Sequence, residues 1–234
     1  SAVTSKPARF MGNPRCSEFA PVLQVRGVSP SEGGVCYDCD HTAKTLGSAP
    51  LALLEPDDES MFLDEMPGKF RYPQPEDAED KALLADIQRK GWHHFAVPGG
   101  DGQPGYTFSV GHFLNLNHPE LIVVGLKDAL ASKLLDSAAV RIRGLKKPYQ
   151  PYRLYNDIAD GLEVMFLPVA FPHYKEYLGF ANWFYQSLPA PYPALQMVWP
   201  DPKGVFPWQP GYDTRFHRAQ PLLGKAPASP LGPR

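Results

Sequence analysis

The sequence has few cysteines, no excess of basic residues and no long apolar run. Three cysteines lie before residue 40, so a disulfide framework would leave one thiol unpaired. Lys and Arg number 23 against 25 Asp and Glu, a balance that argues against a nucleic-acid-binding protein. No apolar run approaches the ~20 residues that span a bilayer, and no charged segment followed by an apolar one opens the chain. We therefore expect a cytoplasmic protein that binds neither nucleic acid nor membrane.

Proline is abundant instead, with 27 residues spread over the 234-residue chain, and 43% of the residues are hydrophobic. This combination is typical of a folded domain with stiff connections rather than of a disordered chain. The sequence divides into a loop-rich extension (1–75), a main domain (76–223) and a short tail (224–234). Within the extension, Leu54–Glu65 is acidic and carries Met61, Phe62 and Leu63 among its acids.

Periodicity in the main domain predicts an α+β fold. A first helix is indicated by acidic residues from Glu76 onward, by Arg89 and Lys90 at its end, and by Gly91 as its C-terminal cap. The other signals are strands at WHHFAVPG, YTFSVGHF, LIVVGL, YRLYND, GLEVMFLPVA and ALQMVW, and helices at KDALASKLLDSAAVRIRG and HYKEYLGFANWFYQSL. Because most strands are joined without crossover helices, we expect a curved, mainly antiparallel sheet packed by about three helices.

Five ordered segments of the main domain resemble one protein family. They read DIQRKGWHHFAVPG, YTFSVGH, HPELIVVGL, YKEYLGFANWFYQ and PALQMVWPDPKGVFPW. Together they are similar to a bacterial family, the domain of unknown function numbered 4262, over residues of about 80–223. The resemblance implies a cytosolic domain with no settled activity, and it assigns no catalytic residues.

A candidate metal site lies in the extension, where Cys36 and Cys39 form a CxxC pair. Cys16 and His41 would complete a Cys3His set, and such thiolate and imidazole ligands are the ones that structural zinc takes. Two other interpretations stay open: three reduced thiols in a loop-rich segment, or a redox CxxC, although redox pairs normally open a helix beside a strand.

The strand YTFSVGHF has a small polar face formed by Thr107, Ser109 and Gly111. This face either forms the floor of a ligand pocket or is the exposed face of an edge strand. Further along the chain come His112, His118 and Glu120. They are either ordinary loop histidines, with Glu120 capping a helix or pairing with Arg141 or Arg143, or candidates for catalysis. No nucleophile lies at a spacing that would complete a triad, and the G-x-S-x-G motif is absent.

The stretch ALQMVWPDPKGVFPW combines two tryptophans with a proline–glycine turn. Asp201 opens the turn, and Pro207 keeps the returning arm at an edge or irregular. Stiff aromatic residues at such an edge are typical of binding surfaces, so Trp199 and Trp208 are candidate contacts with a partner. We expect one tryptophan to close the core and the other to be partly exposed. An edge at Pro207 would permit a dimer, and the sequence leaves the oligomeric state open.

Three functions are compatible with these residues. The first is a binding module for another protein or a small ligand, of an immunity or toxin-neutralising type, that uses Thr107, Ser109, His112, Trp199, Asp201 and Trp208. The second is a split-barrel-like oxidoreductase in which Thr107, Ser109 and His112 hold the phosphate of FMN. The third is a hydrolase built on His112 or His118 with Glu120. Absence of any coherent catalytic constellation favours the binding module.

Overall fold

The computed structural model describes residues 70–228, and the elements below lie in that range. The helices are α1 (Ala78–Lys90), α2 (His112–Leu116), α3 (Asp128–Leu145), α4 (Tyr174–Tyr177) and α5 (Gly179–Phe184). The strands are β1 (His93–Val97), β2 (Tyr106–Val110), β3 (Glu120–Val124), β4 (Leu154–Ala159), β5 (Leu162–Pro168) and β6 (Ala194–Val198). The α+β prediction is confirmed, with more helices than expected.

The six strands form one open sheet in the order β1-β2-β3-β6-β5-β4. Strands β1 to β3 make one antiparallel meander, and β4 to β6 make another. The two meanders join through β3 and β6, which run parallel, with Glu120 opposite Ala194. The sheet is therefore mainly antiparallel, as predicted, with its single parallel pair at the centre.

Helices cover both faces of the sheet. On one face, α3 buries Leu134, Leu135 and Ala138 against Leu121 and Leu195 of the central strands. On the other face, the helices α1, α4 and α5 pack over residues of β2, β3 and β6; their buried side chains include Leu83, Ile87, Tyr177, Leu178, Ala181 and Phe184. All five residues of β3 are buried, which confirms the expected central strand.

Local signals place the ends of α1 where the sequence predicts them. The Asp77 carboxylate accepts a hydrogen bond from the Asp80 amide, which satisfies one free donor of the first turn. Gly91 ends the helix with φ 103°, a left-handed conformation that glycine adopts without steric cost. Within residues 70–228, no helix combines the length and apolar character needed to cross a membrane.

The segment after β6 folds back across the sheet. Gln220 binds the backbone of Trp199 twice, accepting from its amide at 2.9 Å and donating to its carbonyl at 2.8 Å. Gln196 binds the residues that follow: its side chain accepts a hydrogen bond from the Leu223 amide and donates one to the Pro221 carbonyl. This segment passes so close to Gly125 that a Cβ at position 125 would lie 1.9 Å from the Ala219 carbonyl oxygen. The approach therefore requires glycine there.

Two expectations need correction. Strand β2 lies between β1 and β3 and is not an edge, so Thr107 and Ser109 are fully buried and do not form an exposed face. The predicted helix at residues 173–188 is divided, because the backbone at Leu178 has φ −121° and ψ 33° and separates α4 from α5. The expected irregular arm after the Asp201 turn is confirmed, since residues 205–208 form no strand.

Candidate functional site

A buried carboxylate, Glu120, lies where β2, α2 and β3 meet. One oxygen accepts from the backbone amides of Gly111 at 2.9 Å and Phe113 at 3.1 Å. The hydroxyls of Ser109 and Tyr185 also donate to this carboxylate. Ser109 in turn accepts from the Leu121 amide at 2.8 Å, so its hydroxyl is fully used. The sequence suggested that Glu120 would cap a helix, and it does bind the first turn of α2.

Burial and hydrogen bonding act on Glu120 in opposite directions. Removal from water is the larger effect and raises the pKa of the Glu120 carboxyl above its usual value, although its four donors favour the charged form and lower that pKa. Burial, with the neighbouring Glu120 charge, holds the pKa of Tyr185 well above its usual value. Tyr185 therefore keeps its proton and donates it in a hydrogen bond to Glu120. This bond is structural, and Tyr185 does not act as a base.

Three histidines, His94, His112 and His118, gather on the side of the sheet that α3 covers, where His94 lies 3.8 Å from Asp136. The His112 ring lies 6.0 Å from the His94 ring and 6.2 Å from the His118 ring, measured between centroids. His118 is fully bonded, because its Nε2 accepts from the Tyr149 amide at 3.0 Å and its Nδ1 donates to the Pro119 carbonyl at 2.7 Å. Within the described residues, both nitrogens of His112 and the Nε2 of His94 have no hydrogen-bond partner.

Burial keeps these imidazoles neutral. It lowers the pKa of His94 to about 4 and that of His118 to about 4, and it holds the pKa of His112 well below its usual value. His112, His118 and Glu120 are each 0% exposed, and none of them lines the groove along α3 or the pocket beside Tyr185, the two cavities described in residues 70–228. A substrate would have to open the fold to reach the residues proposed for hydrolysis.

A surface pocket lies next to Tyr185, on the side of the sheet that carries α5. Its volume is about 280 Å³. It is lined by Phe171, Tyr174, Asn182, Tyr185, Gln186, Leu188, Pro189, Ala190, Pro191 and Tyr192. None of these side chains is an acid, a lysine, an arginine or a histidine, so the pocket is uncharged while its tyrosines are protonated. Phe171 stands at its rim with 66% of its surface exposed.

Hydrogen bonds fix the walls of this pocket. The Tyr192 hydroxyl donates to Asn182 at 2.8 Å, and the Asn182 amide donates to the Tyr174 carbonyl at 2.7 Å. The Tyr174 hydroxyl donates to the Tyr192 carbonyl at 2.9 Å, which closes the ring of contacts. Because Tyr185 is anchored to Glu120, the pocket wall is tied directly to the central sheet.

The candidate contacts of the ALQMVWPDPKGVFPW stretch have different environments. Trp199 is 1% exposed and its indole donates to the Val124 carbonyl, while Trp208 is half-buried and stacks on Phe206. The expectation of one core and one partly exposed tryptophan is confirmed. Asp201 is 2% exposed, and its carboxylate accepts hydrogen bonds from the Val205 amide at the end of its turn and from the Asp213 amide further along the chain.

The proposed partner-binding set is therefore mostly internal. Five of its residues are buried, namely Thr107, Ser109, His112, Trp199 and Asp201, and Trp208 alone of the set reaches the surface. The proposed zinc ligands Cys16, Cys36, Cys39 and His41 lie outside the described residues, so that site stays a prediction. Within residues 70–228, no group of three or more potential ligands is placed to hold a metal ion.

Sequence analysis missed the pocket beside Tyr185. The signal was the run LPAPYPAL before β6, in which prolines alternate with small residues and enclose Tyr192. Proline-stiffened loops cost little entropy to order, and their aromatic residues often line recognition sites. The run carries no period of a helix or strand, so no local pattern marks it as part of a site.

Comparison with known proteins gives a family but no activity. No curated protein and no solved structure matches the chain. The sequence profile of the family described as "Domain of unknown function (DUF4262)" matches residues 86–213. The match contains the elements from β1 to β6, with Glu120, the three buried histidines and the pocket residues. Since the match covers more than half of the sequence, the chain belongs to the DUF4262 family.

Proposed function

We propose that this chain is a cytoplasmic binding module that holds a short, uncharged segment of a partner protein in the pocket beside Tyr185. The observation that carries the proposal is the lining of the pocket, which combines four aromatic rings with two prolines and no charged side chain. Aromatic-lined grooves of this kind bind extended proline-containing or aromatic peptide segments. Toxin neutralisation is one use of such a module, and it stays a prediction.

Phe171 is the residue through which the pocket would gain affinity. Its ring is 66% exposed, and its centroid lies 5.4 Å from that of Tyr174. A large aromatic side chain left in water beside a concave surface is typical of a binding contact. Its neighbours are already fixed by mutual hydrogen bonds, so binding would order few further side chains.

The two enzymatic alternatives find less support in the geometry. Thr107 and Ser109, the expected flavin-phosphate ligands, are 0% exposed beneath α3, and the sheet is open rather than a barrel. The expected hydrolase residues His112, His118 and Glu120 are equally buried. The pocket itself offers neither a nucleophile paired with a base nor a charged group that would hold a phosphate.

The test is selection of a displayed library of random peptides on the immobilised full chain, followed by titration of the enriched peptides. We expect proline- or aromatic-containing sequences, with the dissociation constant raised at least about tenfold by Phe171→Ser, a loss of about 1.4 kcal/mol. Leu154→Ser is the matched control, because Leu154 is 37% exposed and lies on β4, outside the lining of the pocket. Absence of saturable binding, or equal binding by Phe171→Ser, would contradict the proposal.

A further inference from the structure

The C-terminal end of α3 and the residues directly after it form an exposed basic surface. Arg141, Arg143, Lys146 and Lys147 are all exposed, and the sequence has no acid between Asp136 and Asp157. We call Arg141–Lys147 the basic end of α3. Apolar side chains lie in the same stretch, since Val140 is 54% and Leu145 is 63% exposed. The surface therefore offers positive charge and apolar contact together.

Some of this charge is already engaged and some is not. Arg141 lies 3.6 Å from Asp157, and Arg143 stacks over the Trp92 ring at 4.8 Å. Lys146 and Lys147 make no ion pair with any residue between 70 and 228. A shallow groove of about 680 Å³ runs along the neighbouring side of α3 and ends at Val140 and Arg141. An acidic segment with apolar side chains would match both features.

The chain contains one segment with that composition. Leu54–Glu65 reads LEPDDESMFLDE and holds six acids, no basic residue, and the apolar run Met61–Leu63. It lies in the extension, outside the described residues. Opposite charges at a protein surface attract over about one Debye length, about 8 Å at physiological salt, and apolar contact adds affinity that salt does not screen.

The described part starts at the end of the sheet near which α3 also ends. Phe70 packs on Tyr185, with ring centroids 6.0 Å apart, and Tyr185 binds Glu120 at the start of β3. His118, two residues earlier, binds the Tyr149 amide just beyond the basic end of α3. Both points therefore lie at the same end of the sheet.

Chain length then sets the reach of the acidic segment. An extended chain covers about 3.3 Å per residue. The acids nearest to Phe70 can thus lie up to about 17 Å from it and Asp58 up to about 40 Å.

We propose that Leu54–Glu65 docks on the basic end of α3 of the same chain. Its acids face Lys146 and Lys147, and Met61, Phe62 and Leu63 cover Val140 and Leu145. The contact covers the α3 side of the sheet and leaves the pocket beside Tyr185 open on the other side. It is independent of the proposed peptide binding, so either can fail without the other.

Cross-linking of the full chain tests the contact directly. A carbodiimide joins carboxylates to amines without a spacer, and mass spectrometry of the digest locates the products. We expect links from Lys146 or Lys147 to acids of the 54–65 segment, strongly reduced in high salt. Equal mixing of ¹⁴N and ¹⁵N protein distinguishes the sources, because links within one chain contain a single isotope. Absence of these links, or mixed-isotope links alone, would overturn the proposal and in the second case indicate a second copy.

Hydrogen exchange of the peptide that covers residues 54–65 gives the second measurement. The double variant K146E/K147E should speed exchange in that peptide about tenfold, equivalent to about 1.4 kcal/mol. The control K175E/K225E changes the net charge equally at exposed lysines outside α3 and should leave exchange unchanged. Adding D57K/D58K to K146E/K147E should restore slow exchange. Equal exchange in wild type and K146E/K147E would contradict the proposal, with circular dichroism confirming that the variant is folded.

Discussion

Tyr185 donates its hydroxyl to Glu120, sixty-five residues earlier in the sequence. The bond joins the end of α5 to the first residue of β3, so it ties the helical layer of the pocket to the centre of the sheet. Glu120 receives only donors, two from backbone amides and two from hydroxyls. The carboxylate thus organises the ends of three elements at once.

Replacement of Glu120 by glutamine should destabilise the fold, because the new amide group places donors against donors. We expect Glu120→Gln to lower the free energy of unfolding by about 2 kcal/mol, and Glu120→Leu by more, since it leaves four donors unpaired. Urea denaturation measures both. Glu176→Gln, at an exposed position, is the control and should change stability by less than about 0.5 kcal/mol. Equal effects of the buried and exposed changes would show that Glu120 has no such role.

His112 and His118 should respond oppositely to the same substitution. His112 has no partner for either ring nitrogen among residues 70–228, so His112→Leu removes buried polar atoms and should be neutral or stabilising by about 1 kcal/mol. His118→Leu leaves the Tyr149 amide without an acceptor and should cost about 1–3 kcal/mol. Thermal and urea unfolding of the two variants provide the comparison. A large loss in His112→Leu would indicate that its nitrogens have an internal partner such as a buried water.

Stability should fall as the solution becomes acidic. The folded pKa values of His94 and His118 are about 4, below the value near 6.5 of an unfolded histidine, so the unfolded chain binds more protons between these limits. The free energy of unfolding therefore decreases as pH drops from about 6.5 to about 4, and neutral His118 alone accounts for about 3 kcal/mol. Denaturation at a series of pH values measures the slope. The slope should become shallower in His118→Leu, and an unchanged slope would contradict the assignment.

Gly125 and Gly204 form a matched pair for backbone packing. Both have positive φ, +82° and +80°, but a Cβ on Gly125 would strike the Ala219 carbonyl, whereas one on Gly204 meets nothing within 4 Å. Gly204→Ala should lower the free energy of unfolding by about 1–2 kcal/mol, the cost of a left-handed backbone at a residue with a Cβ. Gly125→Ala should cost about 3 kcal/mol more, because it displaces the segment that crosses β6. Similar unfolding midpoints for the two variants would refute the close approach.

The zinc site predicted in the extension can be tested by measuring the mass of the native chain. Native mass spectrometry of the freshly purified chain should show the excess of one zinc ion, lost on denaturation or chelation, if Cys16, Cys36, Cys39 and His41 form the predicted site. Cys36→Ser should abolish the excess, while His217→Gln, outside the set, should retain it. A mass equal to that of the polypeptide alone would rule out tightly bound zinc. An excess equal to the mass of a flavin would favour the oxidoreductase alternative.

Much of the fold could be predicted because its determinants are local. Helix α1 is specified by its own cap, charges and glycine, and β3 by an uninterrupted apolar run. Strand alternation in β6 places Leu195, Met197 and Trp199 on the α3 side of the sheet and Gln196 and Val198 on the other side. Each of these signals depends on residues only a few positions apart.

Only the tertiary structure decided which polar residues are internal and where a partner could bind. Thr107 and Ser109 have the pattern of an edge strand, but β1 pairs along β2 and α3 packs over them, neither of which is encoded within the strand. The pocket joins Phe171, Tyr185 and Tyr192 from separate segments. By itself the sequence determined the elements, since capping and periodicity act over a few residues. Burial and the site depended on contacts between distant segments, whose energies are set by packing that no local pattern contains.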